Sequence, residues 1–197
     1  EKKKASEKFT SRLLNRYLPD LIAATQETDP DTALQNVLAT GHHLLSECSL
    51  ALYIGQGSNP SMRLVASQGE KVDLLPAEIV SSNISFLMQP ALWQKGERGA
   101  DTILHEQARQ MGLAYLASSP IVAEEEPRAW LGFIAASGNT PPPDYILPLL
   151  KILSAFAGTI THNNVLAANL RKSLHETNYQ LNTWKNASEN IHDGVIS

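Results

Sequence analysis

The chain has 197 residues, with 20 acidic and 16 basic side chains and a formal charge of -4. Hydrophobic residues make up 43% and charged residues 18%, enough to bury a core, while the mildly acidic balance argues against a nucleic-acid-binding surface, which would be basic. A single cysteine, Cys48, excludes an internal disulfide framework and a cysteine-rich zinc site, and fits a reducing, cytoplasmic setting.

The chain opens on Glu1 rather than Met, as an excised piece would, and its Lys-rich start lacks the apolar stretch of a signal peptide. Phe9, Leu13, Leu14, Tyr17, Leu18, Leu21 and Ile22 recur at three- and four-residue steps. They predict an amphipathic helix within residues 1–28, ending near Thr25. Asp29 followed by Pro30 marks the next helix start, an acidic cap before a proline at the first position. Leu34, Val37, Leu38, Gly41, Leu44, Leu45 and Cys48 form its expected buried stripe.

The period then changes to two. Leu50, Leu52 and Ile54 alternate with Ala51 and Tyr53, as on a strand. The turn-rich residues 55–60 lead to a second strand over Arg63–Ser67, completing a hairpin. Pro76–Met88 reads as a helical segment, Ala91–Gln94 as a short strand, and residues 96–99 as a turn. Asp101 is the expected cap of a helix over Thr102–Met111, which Gly112 stops. Two strands follow, Leu113–Val122 and Ala129–Ser137, joined through the acidic residues 124–126 and Pro127. Pro120 favours an edge, a bulge or a strand end. Asp144 is the expected cap of a long last helix, with Pro148 in or just past its first turn, where a missing donor costs least.

That helix carries a heptad seam: Ile146, Leu149, Leu153, Phe156, Ile160, Asn163, Ala167, Leu170, Leu174, Thr177, Leu181, Trp184, Ser188 and Ile191. Eleven of the fourteen are apolar, well above the 43% of the whole chain. Such a repeat implies a left-handed supercoil with a partner helix. Its first two heptads can pack on the chain's own sheet. Leu170, Leu174, Thr177, Leu181 and Trp184 have no further globular sequence to cover them, so a dimer seam over residues 170–188 is expected. A helix folding back on the domain is one competing reading, and fraying of the helix without its natural continuation is another.

From Asp29 to Asn169 this order of elements resembles a GAF domain. The best-matching part is the strand pair LAYLASSPIV (113–122) and WLGFIAAS (130–137), with proline late in the first strand and Gly132 early in the second. The resemblance implies an α+β fold. It has a central antiparallel sheet of about six strands, helices from both chain ends on one face, and a ligand pocket on the other. Residues 189–197 (ENIHDGVIS) resemble the start of a PAS domain. That succession is typical of bacterial sensors in two-component systems, whose output is often a histidine kinase or a transcriptional activator.

The resemblance also says which chemistry to look for. GAF domains that reduce methionine sulfoxide need several cysteines, and those with a covalent bilin need one in the pocket half. Cys48 reads as a small buried hydrophobe instead. The residue pattern of members that bind cyclic nucleotides is not evident. Haem would need an axial ligand, and His105 is the candidate, although a histidine on a solvated helix face is the simpler reading. His42 and His43, being adjacent, diverge by ~100° on a helix and form no metal pair. No cofactor and no metal are therefore expected. Tyr53, Phe86, Trp93, His105, Arg109 and Tyr115 fall in the pocket half and are the candidate ligand-binding residues. Arg109 could pair with an anion. No catalytic residues are visible. The expectation is a non-catalytic regulatory module that dimerises, touches neither membrane nor nucleic acid, and relays a signal through its last helix, with or without a small ligand.

Overall fold

The structure, a computed structural model, describes residues 11, 13–55, 61–70, 76–80, 87–97, 102–122 and 130–195, with side chains as far as Lys185 except that of Leu14. The chain divides into two compact units, parted between Thr161 and His162. The break lies upstream of the Asn169 boundary expected for the domain.

In the first unit a π-helical turn, Leu13–Tyr17, leads into α1, Leu18–Thr25. The wider turn shifts the phase of the three–four spacing. Leu13, Leu21 and Ala24 are buried, but Ile22, expected on the same face, is exposed. Helix α2 spans Pro30–Leu44. The Asp29 carboxylate accepts the Thr32 N–H at 3.0 Å, which caps one of the orphan donors of the first turn. The Thr32 hydroxyl, together with that N–H, holds the Asp29 carboxyl below its usual range. Ala33, Leu34, Val37, Leu38 and Gly41 are the buried stripe. Cys48 is not part of it, contrary to expectation. The helix ends at Leu44, and Cys48 opens the first strand.

The strands are β1 (Cys48–Gly55), β2 (Ser61–Gln68), β3 (Glu78–Val80), β4 (Ala91–Gln94), β5 (Tyr115–Val122) and β6 (Trp130–Gly138). They form a six-stranded antiparallel sheet in the order β3-β2-β1-β6-β5-β4, as expected of this α+β architecture. Between β4 and β5 lies α3 (Ile103–Gln110), and α4 (Ile146–Val195) follows β6.

Some local expectations are corrected. Pro76–Met88 is not one helix. Residues 78–80 form β3, because the β-branched pair Ile79–Val80 suits a pleated surface and Ile79 pairs with Met62. The cap of α3 is Thr102, whose hydroxyl lies 3.4 Å from the His105 N–H. Asp101 lies outside the described residues, as do residues 56–60 and 123–129, where turns were expected. Helix α4 begins at Ile146, so Tyr145 rather than Asp144 holds the cap position. Pro148 falls within the first turn, as expected. Gly112, at φ +68°, takes the left-handed conformation that ends α3. Pro120 lies beyond the last β4–β5 pair, Ala91 with Ser118, and just before a bulge in the pairing with β6. Its missing N–H therefore breaks no ladder on the β4 side.

Alternation gives the sheet two buried faces. Leu50 and Leu52 of β1, Ile134 and Ala136 of β6, and Tyr115, Ala117 and Ile121 of β5 join α1, α2 and the first turns of α4 in one core. Ala51 and Tyr53, Phe133 and Ala135, and Leu116 face the other way. They meet Met62, Ile79, Leu87, Trp93 and, from α3, Leu104 and Ala108. Register locks the assignment, since Tyr53 pairs with Phe133 and Leu52 with Ile134.

Candidate functional site

The face opposite the terminal helices is where the candidate residues were expected. Tyr53 is fully buried there. Its ring stacks on Phe133 at 4.9 Å and 15°, and its hydroxyl donates to the Pro76 carbonyl at 3.0 Å. Burial pushes the phenol well above its usual pKa.

Trp93, His105 and Arg109 come together at the β4–α3 side. The indole Nε1 donates to the Glu97 carbonyl at 3.2 Å. His105 meets the indole edge-on at 5.8 Å, and the Arg109 guanidinium lies 5.8 Å from the indole centroid. His105 is fully buried, not on a solvated face as expected. Its Nδ1 lies 2.7 Å from the Thr102 hydroxyl, so the cap of α3 and the imidazole position each other. Arg109 is exposed.

Phe86 lies outside the described residues. Tyr115 is on the wrong face for the pocket. It belongs to the core under the terminal helices, with its hydroxyl 2.7 Å from the Cys48 sulfur. Burial raises both groups above their usual pKa values. A thiol held protonated in this way is a poor nucleophile. The reason for the correction is phase: Tyr115 is the first residue of β5, and its pairing with Gly138 turns it toward α2 and α4.

Three residues were missed. Phe133 carries the stack with Tyr53, and Thr102 anchors His105. Ser118, on the Leu116 side of β5, is buried with its hydroxyl lacking a hydrogen-bond partner among the described residues. Alternation along β6 could have flagged Phe133, but only the register identifies its partner.

Among the described residues this face is well filled. The cavity between α3 and the sheet, lined by Gln107, Met111, Leu116 and Ser137, measures about 20 Å³, room for one water molecule. A larger open depression of about 690 Å³ lies where β1 begins and β6 ends, lined by His42, Glu47, Glu70, Ser137, Asn139 and Thr140. It is more polar than a usual small-molecule pocket. No group of three or more His, Cys, Asp or Glu among the described residues could hold a metal ion. No helix among them is long and apolar enough to cross a membrane.

The second candidate surface is on α4. Ile146, Leu149, Leu153 and Ile160 are sealed in the core. From His162 onward the same seam is open: Leu170 is 64% exposed, Leu174 63%, Leu181 62% and Trp184 78%. Val165, Leu166 and Tyr179 are exposed as well, outside the seam.

No family model and no curated protein matches the chain. Solved structures do. The GAF domain of a putative sensor histidine kinase from Pseudomonas syringae pv. tomato superposes with a TM-score of 0.59 at 16% identity, over 88% of this chain and 99% of that one. A phycocyanobilin-bound GAF domain from a cyanobacterial phytochrome gives a TM-score of 0.59 at 12% identity, over 85% and 97%. The chromophore-binding domain of a bacteriophytochrome from R. palustris gives a TM-score of 0.56 at 15% identity. This chain spans 63% of that domain and 38% of the longer bacteriophytochrome structure. At such identities the likeness shows the fold, which is that of a GAF domain.

Proposed function

We propose that this chain is a non-catalytic sensory or regulatory module that pairs with a second copy and relays a signal along α4 to an output domain, most simply a histidine kinase. One observation carries the reading. Within a single helix the heptad seam passes from core residues, Leu153 and Ile160, to exposed ones, Leu170 to Trp184. A helix whose first part is packed into the sheet's core and whose remainder needs a partner couples the packing of the domain to the pairing. A ligand would act by favouring one arrangement of the helix pair over another. The likeness to a GAF domain described as part of a putative sensor histidine kinase supports the output assignment. So does the PAS-like run at residues 189–197. A covalently bound bilin is disfavoured, because the one cysteine lies on the helix side of the sheet.

A second reading, a dimerisation module with no ligand, is favoured by the packing of Tyr53, Phe133 and Trp93 on the pocket face. A thermal-shift screen of small metabolites separates the two, since any ligand of the native state raises the melting temperature. The pairing itself is tested by sedimentation equilibrium at about 100 µM, where even a weak micromolar complex forms. A dimer that Leu174→Glu with Leu181→Glu converts to monomer is expected. A monomeric parent chain at that concentration would overturn the proposal.

A further inference from the structure

We infer that the two copies pair in parallel and in register along residues 163–184, with Asn163 as the register lock. The inference rests on the pairing proposed above. It adds the orientation, which the seam's apolar residues alone leave open.

With Ile160 at position a, the a positions are Ala167, Leu174 and Leu181. The d positions are Asn163, Leu170, Thr177 and Trp184. Helix α4 is continuous through all of them. In a parallel, in-register pair each layer meets its own copy. Asn163 then faces Asn163, where two amides can exchange hydrogen bonds, and Thr177 faces Thr177. In an antiparallel pair a layers face d layers. Asn163 and Thr177 would then be set against Ile160, Ala167, Leu174 or Leu181, or against Ser188 in one register only. A polar group buried opposite an apolar side chain loses its hydrogen bonds to water and gains none.

The flanks favour the same answer. The e positions carry Asn164, Arg171, Asn178 and Lys185, and the g positions Leu166, Ser173 and Gln180. Parallel pairing sets each basic row beside the partner's uncharged row, where Gln180 can accept a hydrogen bond from the partner's Lys185. Antiparallel pairing gathers both basic rows on one flank, so that like charges face each other.

Single variants Leu170→Cys and Trp184→Cys of the full chain provide the test. The two positions are ~21 Å apart along the helix. The parent chain sets the background, its Cys48 being buried. On mild oxidation each variant is expected to cross-link to its own copy. The yield should exceed that of a mixture of Ala167→Cys with Thr177→Cys, which face each other in the antiparallel register that sets Asn163 against Leu181, by roughly ten-fold, the size expected from one unmatched buried amide. A dimer by sedimentation that links only in the mixture overturns the orientation and leaves the pairing intact. A monomer overturns both. Asn163→Leu should tighten the dimer and let the mixed cross-link appear. An unchanged cross-linking pattern in that variant overturns the role of Asn163 as the lock.

Discussion

Ile146, Leu149, Leu153 and Ile160 share one heptad seam with Leu170, Leu174, Leu181 and Trp184, in one unbroken helix. The first four lie against the sheet with α1 and α2, whereas the second four are exposed. The contrast teaches that a hydrophobic repeat identifies a face that needs covering, not what covers it. In the first half the cover is the chain's own sheet. In the second half the stripe is exposed, although an amphipathic helix owes most of its stability to the packing of its apolar face.

The largest effect expected from breaking this contrast is on the core half. Leu153→Ala should cost about 3–5 kcal/mol in urea unfolding, the loss typical of a fully buried leucine. Leu174→Ala should change the stability of the monomer by less than about 0.5 kcal/mol while weakening the proposed dimer. Similar losses at both positions would erase the distinction.

Alkaline pH should also weaken the first unit. Cys48, Tyr53 and Tyr115 are all raised by burial. Below the ordinary thiol value of 9.0 and phenol value of 10.0 they stay protonated in folded and unfolded chains alike and contribute no pH dependence. Above those values the unfolded chain ionises first, so stability falls as pH rises, by up to about 1.4 kcal/mol per pH unit for each group. Unfolding followed by circular dichroism should show a plateau near neutrality and a decline above pH 9.0. A flat profile would mean that these groups are not sealed.

Smaller changes sharpen the comparison within the first unit. At Gly132 an added Cβ would run into the Tyr53 carbonyl, which is backbone and cannot swing away. Gly132→Ala should therefore cost about 1–3 kcal/mol, the usual range for overpacking, and calorimetry would register it as a lower melting temperature. Tyr53→Phe removes one hydrogen bond, to Pro76. A loss of about 1 kcal/mol is expected, with the stack on Phe133 kept. A much larger loss would show that the hydroxyl holds more of this face than one carbonyl.

Much of the fold was legible because alternation and capping are local. Asp29 and Pro30 marked α2, and the alternation of Leu50 and Leu52 with Ala51 and Tyr53 divided β1 between the two cores as expected. Errors came where local signals ended. Cys48 continued the apolar spacing of α2 but lies past a turn at Ser46 and Glu47. Ile79 had no partner in its own neighbourhood and became a strand through Met62. Of the candidate site residues, Trp93, His105 and Arg109 lie together on one side of the sheet, whereas Tyr115 lies in the other core, since the face of a strand's first residue follows from its register.

The sequence by itself determined the order of the elements apart from β3, the two-faced character of the strands and the length of the seam in α4, because these depend on spacing along the chain. Only the tertiary structure decided that Tyr115 and Cys48 meet under the terminal helices and that His105 is buried beside Trp93. Each of these depends on which distant segments pair, and in what register, which no local period encodes.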